Sequence, residues 1–132
     1  MGQWSFDPHT NLIVLRAGIE GTTGRTPYLR LALDTGASLT VIPWEVADVL
    51  GLNPAKSRRR VRFMTGSGVE LAPVVIVHAM EVLGIRLSRV PVLCHDLPQG
   101  SLVDGLLGLS FLKHCRLSID FGRGVLDLAR SS

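Results

Sequence analysis

The sequence predicts an all-β domain that closes, or nearly closes, on itself. Three observations carry this. Short aliphatic segments rich in Val and Leu recur along the whole chain, turn residues with glycine foremost separate them, and only two short stretches read as helix. At 132 residues the chain amounts to one domain. That length buries about two-thirds of the unfolded surface, enough for an ordinary core.

The elements follow in order. Met1 to Thr10 is polar apart from Trp4 and Phe6 and reads as an N-terminal arm, residues 1–10, ahead of a domain over residues 11–132. Leu12 to Ile19 is the first strand, and Gly21-Thr22-Thr23-Gly24-Arg25 is a turn by composition. Pro27 to Leu33 is the second strand and carries Asp34 on its end; Leu39 to Ile42 is the third. Pro43 opens a short helix over Trp44 to Leu50, and Gly51 stops it. Asn53 to Arg60 is a polar loop ending in a basic cluster. Val61-Arg62-Phe63-Met64 alternates as a strand, and Thr65-Gly66-Ser67-Gly68 signals a hairpin whose glycines can both take positive φ.

Val69 to Val82 returns as a long strand, broken by Pro73. Gly84 turns it into Ile85 to Leu93, and Cys94 to Ser101 is a loop. Leu106 to Leu109 is a short apolar strand, and Ser110 is placed to cap a helix over Phe111 to His114. Cys115 to Phe121 and Val125 to Leu128 form a last hairpin around Gly122-Arg123-Gly124. There is no internal repeat and no low-complexity tract.

One stretch stands out for chemistry. An apolar segment from Leu31 runs into Asp34, then Thr35, Gly36, Ala37 and Ser38, and then into a second apolar segment ending at Ile42. An ionised carboxylate between two strands resists burial unless something bonds or pairs with it. Thr35 and Ser38 offer hydroxyls, and Gly36 lets another backbone come close. Asp, Thr and Gly also favour turns, so the tripeptide alone fits a plain polar turn as well.

Leu33-Asp34-Thr35-Gly36-Ala37-Ser38 resembles the active-site loop of aspartic peptidases. Val103-Asp104-Gly105-Leu106-Leu107-Gly108-Leu109-Ser110-Phe111-Leu112 resembles the second signature of their retroviral-type, single-lobe branch, and the likeness runs from Asn11 to Leu128. It implies a closed, acid-protease-like barrel lobe with one or two short helices, active as a two-fold homodimer. The implied activity is endopeptidase cleavage of an extended peptide or protein, limited processing in preference to bulk digestion, with no metal or other cofactor.

Two carboxylates a few ångströms apart cannot both ionise, so such a pair holds one proton and titrates as a unit. The chain contains one D-T-G. Asp104-Gly105 lacks the intervening Thr, and Asp120 and Asp127 fall in the last hairpin. A second chain must then supply the second Asp34 across an isologous interface, and the monomer should be inert. The resemblance gives Thr35 a hydroxyl bond across the dyad and Gly36 a backbone position near carboxylate and substrate. Ala37 matches the retroviral branch. Ser38 departs from it, since the pattern has a second Asp there that holds substrate main chain and an Arg.

Met64-Thr65-Gly66-Ser67-Gly68 falls where the family carries its flap, a hairpin that closes over substrate. Pepsin-like flaps carry a tyrosine, and the one tyrosine here is Tyr28. An ordinary exposed hairpin fits the same residues. Leu106-Leu107-Gly108 would pack near the loop and line the substrate pocket, or form a plain core strand. Asp104 contacts substrate or sits in a surface turn. The family pairs chain termini at its interface, which makes Trp4 to Phe6 and Val125 to Leu128 candidates there.

Other signals are weaker. Cys94-His95 and His114-Cys115 supply four soft ligands, but their spacing matches no standard zinc site, and neighbours on a strand point to opposite faces. Buried thiols beside surface histidines fit them better. Arg58-Arg59-Arg60 with Arg62 reads as a solvated strand start; contact with nucleic acid or an acidic substrate is the other reading, and no aromatic platform is interleaved. His78 and Glu81 are structural.

A net charge of +3 gives no case for nucleic acid. No stretch is long enough for a membrane span. The start lacks the basic and apolar regions of a signal peptide, and Phe6 occupies the place where a myristoylation site wants Ser or Thr. Two cysteines make no disulfide framework and suggest a reducing compartment. Together these point to a soluble, cytoplasmic protein, although a domain cut from a longer anchored chain would read the same. The rival function is a dimerisation or peptide-binding module of the same fold with weak or no catalysis. A pure binder gains nothing from a paired carboxylate, which argues against it.

Overall fold

The computed structural model describes Gly2 to Ser131; Met1 of the expected arm and Ser132 lie outside the described residues. Ten strands and two short helices follow one another as β1 (Gly2–Ser5), β2 (Val14–Glu20), β3 (Tyr28–Leu33), β4 (Thr40–Ile42), α1 (Trp44–Val49), β5 (Arg60–Thr65), β6 (Gly68–Val82), β7 (Ile85–Cys94), β8 (Gly105–Leu107), α2 (Leu109–Leu112), β9 (Cys115–Asp120) and β10 (Val125–Arg130). One turn of 3-10 helix, Pro54–Lys56, lies inside the expected polar loop.

The main sheet runs β2-β3-β8-β4-β7-β6-β5, and a further pairing of β2 with β6 closes its first six strands into a barrel. The strand β5 stays outside the closure as one arm of a hairpin. Closure is possible because β6 is long. Its residues 68–73 pair with β5, residues 74–82 pair with β7, and its end pairs with β2 from Ala17↔Val82 to Glu20↔Ala79.

Pro73 therefore does not break the strand, contrary to the sequence expectation. It pairs with Arg60 at the point where β6 passes from β5 to β7, and Val74 N–H takes up the ladder by donating to Arg59 O at 2.8 Å. A residue without an N–H is tolerated where the partner changes.

The alternation in β2 puts Leu15, Ala17 and Ile19 inside the barrel, where they meet Leu31, Ile42, Val77, Met80, Val92 and Leu107. Phe111 from α2 is fully buried against the same core, a burial that contributes about 2–3 kcal/mol. A smaller cluster of Val41, Ala72, Val74 and Leu93 supports the hairpin side, with Leu39, Val61, Phe63 and Leu106 packed on it.

A second sheet has the order β1-β10-β9. The first residues thus pair within the same chain, from Gly2↔Leu128 to Ser5↔Val125, and Phe6 N–H continues the ladder to Gly124 O at 2.8 Å. Cys94 closes β7 and does not begin a loop. Ser110 does not cap α2: Gly108 holds the cap position and Ser110 lies inside the helix, buried. No helix among the described residues is long and apolar enough to cross a membrane.

Candidate active site

Asp34 stands immediately after β3, at the mouth of the barrel. Its N–H donates to Leu107 O at 3.0 Å, its carbonyl accepts from Ala37 N–H at 3.2 Å, and its Oδ1 accepts from Gly36 N–H at 2.9 Å. The carboxylate is thus held by the turn it belongs to. Ala37 O in turn accepts from Leu109 N–H at 2.8 Å, so the turn is tied to the end of β8 and to the start of α2. Asp34 is half-buried, while Thr35, Gly36 and Ser38 are exposed.

What aims the turn is β8. It lies parallel to β3, with Leu33↔Leu107, and antiparallel to β4, with Val41↔Leu106. Three strands meet there with little room. A Cβ at Gly105 would run into the Val41 carbonyl oxygen, and one at Gly108 would lie 2.6 Å from Ala37 O. Within the chain, the close backbone approaches at this site fall at these two glycines. A Cβ at Gly36 would meet only its own Asp34 Oδ1, at 3.2 Å.

Two buried hydroxyls brace the same place. Thr40 Oγ1 accepts from Gly108 N–H at 3.0 Å, and Ser110 Oγ accepts from Thr40 N–H at 2.9 Å. Both residues are essentially inaccessible. Sequence reasoning passed over Thr40 and gave Ser110 the wrong task. The available signal was a lone hydroxyl residue inside each of two aliphatic segments, since a buried hydroxyl must find a partner.

Leu106 and Leu107 part company across β8. Leu107 is fully buried in the main core, whereas Leu106 is half-buried and faces a cleft. That cleft, of about 460 Å³, is lined by Gly36–Leu39 and the β5–β6 hairpin and also by His95, Leu97 and Pro98. The hairpin turns at Gly66-Ser67 from Thr65 to Gly68. Gly68 alone of its two glycines takes positive φ, at 124°. Thr65 Oγ1 donates to Gly68 O at 3.1 Å, and Met64 at the tip is 77% exposed.

Asp104 is engaged elsewhere. Its Oδ2 accepts from Arg30 N–H and its own N–H donates to Arg30 O, both at 2.8 Å, so it pins the start of β8 to β3 and does not line the cleft. Thr35 borders a separate groove of about 290 Å³ with Phe6, Ile13, Leu33 and the exposed Leu12 and Phe121.

Both cysteines are free thiols. Burial pushes the Cys94 thiol up to about 12, with Asp48 and Asp96 adding to the shift. Burial also raises Cys115, against a lowering influence of Arg130. Among the described residues no three His, Cys, Asp or Glu side chains come together to hold a metal. His95, expected at the surface, is half-buried with its ring edge-on to Phe63 at 4.5 Å. Arg62, expected to be merely solvated, borders the cleft.

Comparison with known proteins agrees with this geometry. A family model described as aspartyl protease matches residues 16–111. A crystal structure of a retropepsin-like aspartic protease from Rickettsia conorii superposes with a TM-score of 0.69 at 21% identity, covering 96% of this chain and 98% of that one. The solution structure of the simian foamy virus (mac) protease gives a TM-score of 0.51 at 21% identity, over 76% of this chain and 92% of that one. The search of curated proteins found no match. The chain therefore belongs to the aspartyl protease family, and its fold is the retropepsin-like one.

Proposed function

We propose that the protein is a homodimeric aspartic endopeptidase whose two Asp34 side chains share one proton across a two-fold axis. The observation that carries this reading is the tethered turn. Asp34 is fixed at the barrel mouth by Leu107 and Gly36 while Thr35 and Gly36 stay exposed beside it. One such turn supplies half of a two-carboxylate centre. The groove next to Thr35, with exposed Leu12 and Phe121, offers apolar surface for a second copy to cover. The terminal strands β1 and β10 already pair within one chain, so a second copy would add to this sheet and not build it.

In the reaction, one carboxylate takes a proton from a water as the water oxygen bonds to the peptide carbonyl carbon. The protonated partner gives its proton to the carbonyl oxygen. The tetrahedral diol then collapses: the carboxyl that took the water proton gives it to the nitrogen, the carbon–nitrogen bond breaks, and a diol O–H returns its proton to the other carboxylate. No covalent intermediate with the protein forms. Thr35 positions the dyad, Gly36 presents backbone to the peptide, Ala37 supports the loop through its bonds to Asp34 and Leu109, and Ser38 contributes a hydroxyl. The hairpin from Met64 to Gly68 serves as the flap, and Leu106 lines the pocket. The peptide lies extended between flap and floor and is processed at few sites.

The test is a peptide library incubated with the wild type, with and without pepstatin, and with Asp34→Asn. Cleavage that pepstatin blocks and Asp34→Asn abolishes is the expected result. Cleavage that survives Asp34→Asn removes the mechanism, and binding without cleavage from acid to neutral pH would favour a peptide-binding module.

A further inference from the structure

The face that β2 and β3 turn away from the barrel interior carries a cation that is held in place and has no acid beside it. A groove of about 550 Å³ is lined there by Trp4, Ser5 and Phe6 of the arm and by Val14, Arg16 and Tyr28 of the barrel wall. The Arg16 guanidinium carbon lies over the Tyr28 ring, 3.9 Å from its centre. Tyr28 faces Gly18 across the strand pair, where a Cβ would come within 3.2 Å of the ring. The ring thus packs on bare backbone, and the guanidinium stacks on the ring. Stacking of this kind leaves the N–H edge of the fork free.

Nothing on this face neutralises Arg16. The one ion pair among the described residues joins Arg86 and Glu20. Glu81 shares the outer face, opposite Gly18, but neither it nor any other Asp or Glu lines the groove. Arg30, directly across from Arg16, lines the groove as well, but its guanidinium donates to Leu102 O at 3.0 Å.

The arm adds a second feature, because β1 is an edge of its sheet. Phe6 N–H donates to Gly124 O, and alternate residues of a strand turn their backbone groups the same way. Gly2 and Trp4 therefore bond towards β10, and the N–H and C=O of Gln3 and Ser5 point to the open side. Both of these residues are exposed. Gly2 lies directly on the Leu83 carbonyl with no room for a Cβ, which seats β1 against the turn between β6 and β7.

We propose that this groove is a docking site for an extended acidic segment of another polypeptide, which adds to the free edge of β1 and sets a carboxylate on Arg16. Gln3 and Ser5 supply the backbone bonds, the Arg16 fork takes the carboxylate, and an apolar neighbour in the segment packs on Trp4. None of these residues belongs to the Asp34 turn or lines the cleft beside it, so the inference is independent of the catalytic reading.

Binding to the Asp34→Asn protein tests it. Short fluorescent peptides in which Leu and Thr alternate carry Glu, or Gln in its place, at each position in turn. At one position or more, Glu should bind about five-fold tighter than Gln, the ratio of a solvent-open ion pair. Arg16→Gln should remove that preference and leave the Gln peptides unchanged. Ser5→Pro deletes an outward N–H, which an edge strand tolerates, and should weaken Glu and Gln peptides alike by about five-fold. Amide exchange at Gln3 and Ser5 should be fast in the free protein and slow with peptide bound. Equal affinity for Glu and Gln at every position, a preference that survives Arg16→Gln, or unchanged binding by Ser5→Pro overturns the proposal. Slow exchange before any peptide is added overturns it too, because a second copy then covers the edge. Tighter binding of oligothymidylate than of any peptide also overturns it, by marking a nucleic-acid surface.

Discussion

The turn that carries Asp34 and the hairpin that faces it are built in opposite ways. Around Asp34 the local bonds of the turn are joined by others that reach far across the sequence: Asp34 to Leu107, Ala37 to Leu109, and Thr40 to Gly108 and Ser110. The contacts there are buried and leave no space for a Cβ at Gly105 or Gly108. At the hairpin the bonds are local, between Thr65, Ser67 and Gly68, and Met64, Val69 and Leu71 are all exposed. A site that must hold a carboxylate in one geometry needs the first construction, and the second suits the cover over a peptide that we propose the hairpin to be.

The contrast can be broken on purpose, most severely at the turn. Asp34→Asn should lower peptide cleavage by about 10⁴-fold and leave thermal unfolding almost unchanged, because Asn keeps the oxygen that accepts from Gly36. Gly105→Ala should destabilise the fold by roughly 3 kcal/mol in denaturant titration, since its methyl would meet the Val41 carbonyl. Thr40→Val leaves the Gly108 N–H buried without an acceptor and should cost about 1–3 kcal/mol. Combined with Ser110→Ala, its effect should be non-additive, because the two hydroxyls share one chain of bonds.

Smaller effects sharpen the comparison. Gly66→Ala at the hairpin tip has open space around it and should change stability by less than about 0.5 kcal/mol while slowing cleavage, a split that Gly105→Ala and Thr40→Val should not show. The pH dependence of stability gives a separate check on the core. Cys94 has its pKa raised from 9.0 to about 12, so the native state holds that proton more tightly than the unfolded chain does. Its stabilising contribution is complete below pH 9.0 and is lost as pH rises towards 12. In Cys94→Ala, unfolding curves should lose that part of the alkaline decline.

Much of this architecture was legible because it is local. An apolar strand ending in Asp34, a glycine hairpin after an alternating strand, and the Pro43-to-Gly51 helix each announce themselves within a few residues. What was not legible depends on distant partners. Pro73 reads as a break until β6 is seen to change neighbours there. Ser110 looks like a cap until Thr40, 70 residues away, takes its hydroxyl. Asp104 reads as a substrate contact or a surface turn, and its brace to Arg30, 74 residues away, shows only in the fold. The crowding at Gly105 and Gly108 depends on how β8 threads between β3 and β4, which no local pattern encodes.

The account turns on two chains each lending one Asp34. Wild-type and Asp34→Asn subunits, mixed in varying ratio and allowed to exchange at constant total concentration, test this directly through the rate of peptide cleavage. Random pairing into dimers that need both carboxylates makes the rate fall as the square of the wild-type fraction, to about one quarter at an equal mixture. A linear fall, to about one half, would mean that each subunit works alone and would contradict the shared centre.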